Sequence, residues 1–354
     1  MKRLLDVYGN EEIIYHINDE ELRKSGLLTN NQLKELIESR REKDIDKAYE
    51  EMRQTGVNIT CITEDDYPSR LRNINTQPYM LFYYGELPRE QVSSVAIIGA
   101  RMCSDYGRKC AEYFASELAR RGVQIISGLA SGIDGISQRA ALEANGRSYG
   151  ILGSGVDICY PASNRSLYER LKGCGGVISE YSLGTRPIAQ NFPMRNRIIS
   201  GLSDIVLVIE AKPRSGTSIT VSMALDQGRS VYAVPGRIGD ALSQGCNRMI
   251  YEGAGIANDA QAILDELERM NSVRCVNENE TASQKQTDLL QPINSALEND
   301  LERAIYGAIR NGAQSVEAIA GVIGENNTIQ DIKSSLMYMT LRGVIRENVG
   351  VYEV

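Results

Sequence analysis

Between Val95 and about residue 270 the chain alternates short, nearly continuous apolar runs with amphipathic stretches. The runs are VAIIGA, VQIISG, SYGILG, GVISEY, DIVLVIEA and SVYAVPG, separated by segments such as YGRKCAEYFASELARRG and GIDGISQRAALEANG. Runs rich in β-branched residues without polar alternation suit strands covered on both faces, and the stretches between them supply crossover helices. The pattern predicts an α/β fold with a parallel sheet and crossover helices over residues 91–270. Ahead of it, DEELRKSGLLTNNQLKELIESRREKDIDKAYEEMRQTG keeps apolar residues at helical spacing and stops at Gly56, and VNITCITEDDYPSRL reads as a strand and a turn at Pro68. Residues 1–90 are therefore expected to form an N-terminal helical domain with a run-in to the sheet. Residues 271–297 are polar and aperiodic and read as a linker. Residues 298–354 carry three helical patterns and end in VIRENVGVYEV, which suits a β-hairpin, so a winged-helix-like domain is expected.

Composition changes this picture in two places. No run of about 18 apolar residues exists and the start, MKRLLDVYGNEE, lacks a long apolar stretch, so a cytoplasmic protein with no membrane contact is expected. None of the seven cysteines forms a CxxC pair, which points away from a zinc site or a disulfide framework, and no cofactor is implied. The net charge of −7 argues against a nucleic-acid partner until its distribution is considered. From Val95 to Ser215 there are 15 Lys and Arg against 10 Asp and Glu, a local +5, while the rest of the chain carries −12. An anion responds to the local field, not the whole-chain sum.

In an open parallel sheet, ligands bind beyond the carboxyl ends of the strands. The segments following the runs are Gly99-Ala100-Arg101, SGLASGIDG with Ser127, Gly128 and Gly132, SGVD, and KPRSGTSIT with Ser215, Gly216, Thr217 and Ser218. Their glycines and free helix-start amides suit phosphate oxygens. Neither GxGxxG after the first run nor the Walker pattern is present. The stretch NFPMRNRIISG precedes the DIVLVIEA run, with Pro193 suited to a first helical turn. On that helix Arg197 faces roughly opposite to Arg195, and Ile198 and Ile199 can be buried. Arg197, Asn196 or both are expected to reach the shared crevice, where guanidinium suits bidentate phosphate contact; the bland reading is a surface helix with solvated arginines. The lone histidine, His16, lies far from these loops in sequence, and no HExxH, GxSxG or carboxylate cluster appears. Asp134 and Asp157 suit a helix N-cap more than chemistry. Glu180 and Glu210 close strands and suit a structural role or a ribose hydroxyl. Tyr106 suits stacking on a base or packing.

Together VAIIGARMCSDYGR, SGLASGIDGISQRAAL, GILGSGVDICYPASNRSLYERL, ISEYSLGTRPIAQNFPMRNRIISGLSDIVLVIEAKPRSGTSIT and ALDQGRSVYAVPGRI, with the run-in DDYPSRLRNINTQPYMLFYYGELP, resemble the DNA-processing protein A (DprA/Smf) family over roughly residues 60–260. The resemblance implies an extended Rossmann-like fold over residues 91–270, preceded over 1–90 by a SAM- or helix-hairpin-helix-like domain, in a non-catalytic, dimeric, single-stranded DNA-binding protein that protects incoming strands in transformation and loads a RecA-type recombinase, with SSB also present. It implies a phosphate pocket lined by Gly99 and Arg101, by Ser127, Gly128 and Gly132, by Arg195, Asn196 and Arg197, and by Ser215, Gly216, Thr217 and Ser218, with Arg165 in YPASNRSL as a looser basic contact. Two positions depart from the family's pattern: Ser131 stands where an arginine is usual and Gln138 where a histidine is usual. The first implies one phosphate contact fewer and a flatter salt dependence. The rival reading is an enzyme or sensor for a small nucleotide, akin to the LOG-type phosphoribohydrolases. It asks for Glu180 or Glu210 with Arg197 in the pocket, and the GGxGT loop of those enzymes is replaced here by RSGTS.

Overall fold

The computed structural model describes residues 2–42, 45–272, 300–310, 313, 315–323, 328–341, 345–348 and 351–353. The chain divides into two compact units, Met1–Arg269 and Met270–Val354. In the first, nine strands form one sheet in the order β1-β2-β6-β5-β4-β3-β7-β8-β9. They are β1 Asn58–Cys61, β2 Met80–Gly85, β3 Ser94–Ile98, β4 Gln124–Ser127, β5 Ser148–Ile151, β6 Gly175–Ser179, β7 Ile205–Val208, β8 Ser230–Ala233 and β9 Gly255–Ile256. β1 pairs antiparallel with β2, and β2 with β6; the remaining pairs are parallel.

The six apolar runs are β3 to β8. Every residue of β3, β4, β5, β6 and β7 is buried, as strands covered on both faces must be. Their side chains form the main core with Leu71, Leu81, Ile198 and Ile199. From β3 the chain winds one way through β4, β5 and β6, then crosses back to place β7 against the other edge of β3. That reversal opens a crevice between the loops after β3 and β7, the place where such sheets bind ligands.

The sheet begins earlier than expected. β1 and β2, within the run-in assigned to residues 1–90, extend the β6 edge. The helices Lys2–Tyr8, Glu11–His16, Asp19–Ser25, Asn30–Glu42 and Ile45–Gln54 precede them, with a small core around Leu4, Ile14 and Leu22. Of the linker expected over 271–297, residues 271 and 272 end a helix begun at 260, and the rest lies outside the described residues. The second unit holds helices Asp300–Arg310, Val316–Ile323 and Ile329–Leu341, followed by the antiparallel hairpin Arg346–Asn348 and Val351–Glu353. Ile305, Ile309, Ile319, Ile332, Leu336 and Tyr352 are buried in its core. Among the described residues no helix is long and apolar enough to cross a membrane.

Candidate nucleic-acid interface

The crevice at the β3/β7 reversal is a cleft of about 490 Å³. Gly99, Ala100 and Arg101 line it from the β3 loop, Ser215, Gly216 and Thr217 from the β7 loop, and Phe192, Arg195, Asn196 and Ile199 from the helix Asn191–Gly201. Arg101 is exposed, and among the described residues its one recorded partner is the Phe192 ring, 5.8 Å from the guanidinium carbon. Ser215 is the N-cap of the helix Gly216–Asp226, but its Oγ makes no capping bond and is buried without a partner. Among the described residues the Gly216 and Thr217 amides at the cleft have no hydrogen-bond partner, so this helix start offers donors to an anion.

The β4 loop, richer in glycine and serine, has a different fate. Ser127 is buried and its Oγ donates to Ile97 O at 2.7 Å, so it does not face a phosphate. The Gly128 amide donates to Asp134 Oδ2 at 3.1 Å, the Leu129 amide to Gln138 Oε1 at 3.1 Å, and the Ile133 amide to Ala100 O at 3.2 Å. Within the expected phosphate nest over 127–132, the Gly128 and Leu129 amides are thus taken by the protein's own groups, while Ala130 lines the cleft. Its glycines serve close packing. Gly132 has φ +77 and a Cβ there would collide with Ala100 O. A Cβ on Gly128 would lie 2.6 Å from Arg195 Nη1. Gln138, the departure from the usual histidine, is wholly buried and also donates to Tyr149 O at 3.0 Å, which accounts for an amide at this position.

The two arginines of RNR are separated by the helix itself. At about 100° per residue, positions 192, 195, 196 and 199 share the cleft face and position 197 turns away. Arg195 is 4% exposed and donates through Nη1 to Gly128 O at 2.8 Å and to Ile151 O. Its Nε has no partner. Burial pulls its pKa down to about 10, opposed by Asp134 and reinforced by Arg101, so it stays charged at neutral pH. Burial raises the Asp134 carboxyl, opposed by Arg195. Arg197 corrects the expectation that it reaches phosphate. It is 6% exposed, lies outside the cleft, and grips Glu180 with both terminal nitrogens at 2.6 Å while Nε donates to Thr76 O at 2.7 Å.

Two further expected contacts do not line the cleft itself. Arg165 lies outside the cleft, pairs with Glu169 at 3.7 Å and rests over Tyr168. Ser218 lies one position beyond the lining, its amide donating to Ser215 O at 3.1 Å. Tyr106 is also outside, its hydroxyl donating to Pro235 O at 2.8 Å. Asp157 caps no helix; it accepts from the Gly184 amide. Glu180 and Glu210 are both spoken for within the protein and line no part of the cleft. The residues that sequence reasoning passed over are Tyr160 and Phe192. Their rings are 5.5 Å apart inside the cleft, with Arg101 and Arg195 each within 6 Å of Phe192. The available signal was an aromatic directly before a proline in both YP and FP.

An open guanidinium, free helix-start amides and a pair of rings in one basic crevice suit a polyanion with flat groups. Residues 58–268 match the model of DNA recombination-mediator protein A. The chain belongs to the DNA recombination-mediator protein A family. Protein Smf of Escherichia coli is 34% identical over 339 residues, covering 95% of this chain and 87% of that protein. The X-ray structure of DNA processing protein A (DprA) from Streptococcus pneumoniae superposes with a TM-score of 0.64 at 36% identity, covering 71% of this chain and 87% of that one. A DNA processing protein A from Helicobacter pylori, whose structure is described in terms of its single-stranded DNA binding mode, superposes at 0.54 with 26% identity, covering 60% of this chain and 96% of that one. A DNA-processing role follows from membership of the family.

Proposed function

We propose that this chain binds single-stranded DNA in the β3/β7 cleft without cutting or modifying it, protects the strand, and hands it as a dimer to a RecA-type recombinase in the presence of SSB. The observation that carries the binding reading is the pairing, in one cleft, of Arg101 and the start of helix Gly216–Asp226 with the neighbouring, mutually tilted rings of Tyr160 and Phe192. Arg101 and the amides of 215–217 take phosphates, Asn196 supplies a polar contact, and the rings take a base face, which every base presents. Buried Arg195 adds positive potential from below without leaving its carbonyl partners. The single-stranded DNA binding named for the Helicobacter pylori relative supports the same partner. The recombinase, SSB and dimer rest on family resemblance alone. The nucleotide-processing alternative is weakened because its candidate carboxylates, Glu180 and Glu210, lie outside the cleft.

The test is fluorescence anisotropy with a labelled single strand of about 20–30 nucleotides, a site length typical of such grooves, titrated across a salt series with duplex and AMP as competitors. The reading expects binding that weakens steeply with salt, is displaced poorly by duplex and not by AMP, and falls in Tyr160→Ala. Efficient competition by AMP, or no binding to the oligonucleotide, overturns it. Stimulation of recombinase filament formation on SSB-coated strands checks the mediator role.

A further inference from the structure

A buried carboxylate outside the cleft is bonded to the loop that carries Arg101. Glu210 follows the last ladder bond between β3 and β7, in which the Ile209 amide donates to Ile98 O at 3.1 Å. It is 2% exposed, and among the described residues no cation pairs with it. An unpaired buried carboxylate is costly unless its oxygens are hydrogen-bonded. Here both oxygens are claimed by one residue of the neighbouring loop. The Ser104 amide donates to Oε2 at 2.9 Å and the Ser104 hydroxyl to Oε1. Ser104 is itself the N-cap of helix Asp105–Arg120, its Oγ accepting from the Gly107 amide at 3.1 Å. The carboxylate thus sits at the start of a 16-residue helix, against its capping residue.

This lacing explains a residue that the helix pattern leaves odd. Gly107 lies inside the first turn, where glycine is a poor helix former. A Cβ there would collide with the Glu210 carboxylate. The backbone of Glu210 closes on the same loop from its other end: a Cβ on Gly99 would lie 3.0 Å from Glu210 O. The segment Gly99–Ser104, which carries Arg101, is therefore bonded to Glu210 at its Ser104 end and packs closely against the Glu210 backbone and Ile133 at its Gly99 end. On the other side, the Ala100 carbonyl is held by the Ile133 amide. From Glu210 the chain runs on through Ala211, whose amide and carbonyl are tied to Leu242 and Gly245, to the open helix start at Ser215 and Gly216.

We infer that Glu210 is a positioning residue for phosphate binding: through Ser104 and Gly107 it sets where Arg101 stands relative to the amides at 215–217, so that one strand's phosphates meet both. This rests on the single-stranded DNA reading above. Glu210 touches no DNA in this account and acts through Arg101.

The test is a double-mutant cycle on oligonucleotide binding, with hydrogen exchange of the 99–107 peptide measured on the same proteins without DNA. Glu210→Ala is expected to weaken binding by about as much as Arg101→Ala and to flatten the salt slope similarly. The double variant should bind no worse than Arg101→Ala alone, because the arginine is the route by which Glu210 acts. Exchange should rise over 99–107 and stay unchanged over β7, and Glu210→Gln, which keeps the shape, should restore part of the binding. Gly107→Ala, which pushes on the same carboxylate, should copy Glu210→Ala and serves if the latter folds poorly. Additive losses, or unchanged exchange over 99–107 in both variants, overturn the proposal. If Arg101→Ala leaves the salt slope untouched, the DNA reading fails, and the exchange data still decide whether Glu210 pins the loop.

Discussion

The loops after β4 and β7 each bring serine and glycine to the start of an 11-residue helix at the carboxyl edge of the sheet. In the β4 loop the amides of Gly128, Leu129 and Ile133 are consumed by Asp134, Gln138 and Ala100. In the β7 loop Ser215 Oγ has no partner, and a Cβ on Gly216 would meet nothing within 4 Å. The first loop is interior to the β winding and packs against the next helix; the second flanks the reversal, where the sheet leaves a gap. The same contrast separates the arginines. Arg195 and Arg197 are held by carbonyls and a carboxylate, while Arg101 stands open. A phosphate-like composition therefore becomes a phosphate site only where the topology leaves donors unclaimed.

Substitutions can break this contrast, because the closed side should move stability and the open side should move binding. The largest effect is expected from Arg197→Ala, which leaves Glu180 partly buried without its partner. Removing one member of such a pair costs about 3 kcal/mol. Thermal melting should drop by several degrees while the salt slope of DNA binding, measured well below the melting range, stays as in the wild type. A flattened slope would return Arg197 to the cleft. Next comes Arg101→Ala, expected to weaken single-strand binding by about 2 kcal/mol, roughly 30-fold, as loss of a charge-assisted contact does. The slope of log affinity against log salt should fall by about 0.7, the value per phosphate on a single strand. Melting should not change.

A smaller and sharper pair is Gly128→Ala against Gly216→Ala. The first puts a Cβ 2.6 Å from Arg195 Nη1 and should cost about 1.5 kcal/mol of stability, as overpacking does. The second meets open space and should change stability by less than about 0.5 kcal/mol. Equal melting shifts would erase the difference between the loops. The smallest effect concerns the cleft floor. Burial raises the Asp134 carboxyl, so on acidification it protonates before ordinary aspartates and leaves the Arg195 charge unopposed. DNA affinity should rise a few-fold as pH falls through that range, and Asp134→Asn should remove the dependence. The sign for stability is the same: a folded-state pKa above the unfolded one means that the folded state takes up the proton first. Stability from this group therefore rises as pH falls from the raised value toward the ordinary aspartate range.

Much of the fold was legible. The β-branched runs identify β3 to β8 because a strand buried on both faces cannot carry the polar alternation that would disguise it. β2 and β9 were not read as strands. β2 carries YMLFYYG, which is half-buried at the antiparallel edge, and β9 has two residues. The site was legible as an edge and a set of loops, and its individual residues less so. Arg101 and Ser215 to Thr217 line the cleft as expected. Arg197 does not, because a two-residue step on a helix reverses the direction of a side chain, and local sequence does not say which face meets the crevice. Tyr160 and Phe192 come from segments 32 positions apart that meet only across the cleft mouth.

What the sequence by itself determined is the set of layers, the edge at which ligands meet the sheet, and membership of a family, since apolar periodicity and ordered motifs are properties of the linear chain. Only the tertiary structure decided which donors remain free. A serine hydroxyl, a glycine amide or a guanidinium is committed or available according to whether another group lies within about 3 Å of it. That distance is set by how β3, β4 and β7 are ordered in the sheet, and residues such as Glu210 and Ser104, far apart in sequence, meet only once that order exists.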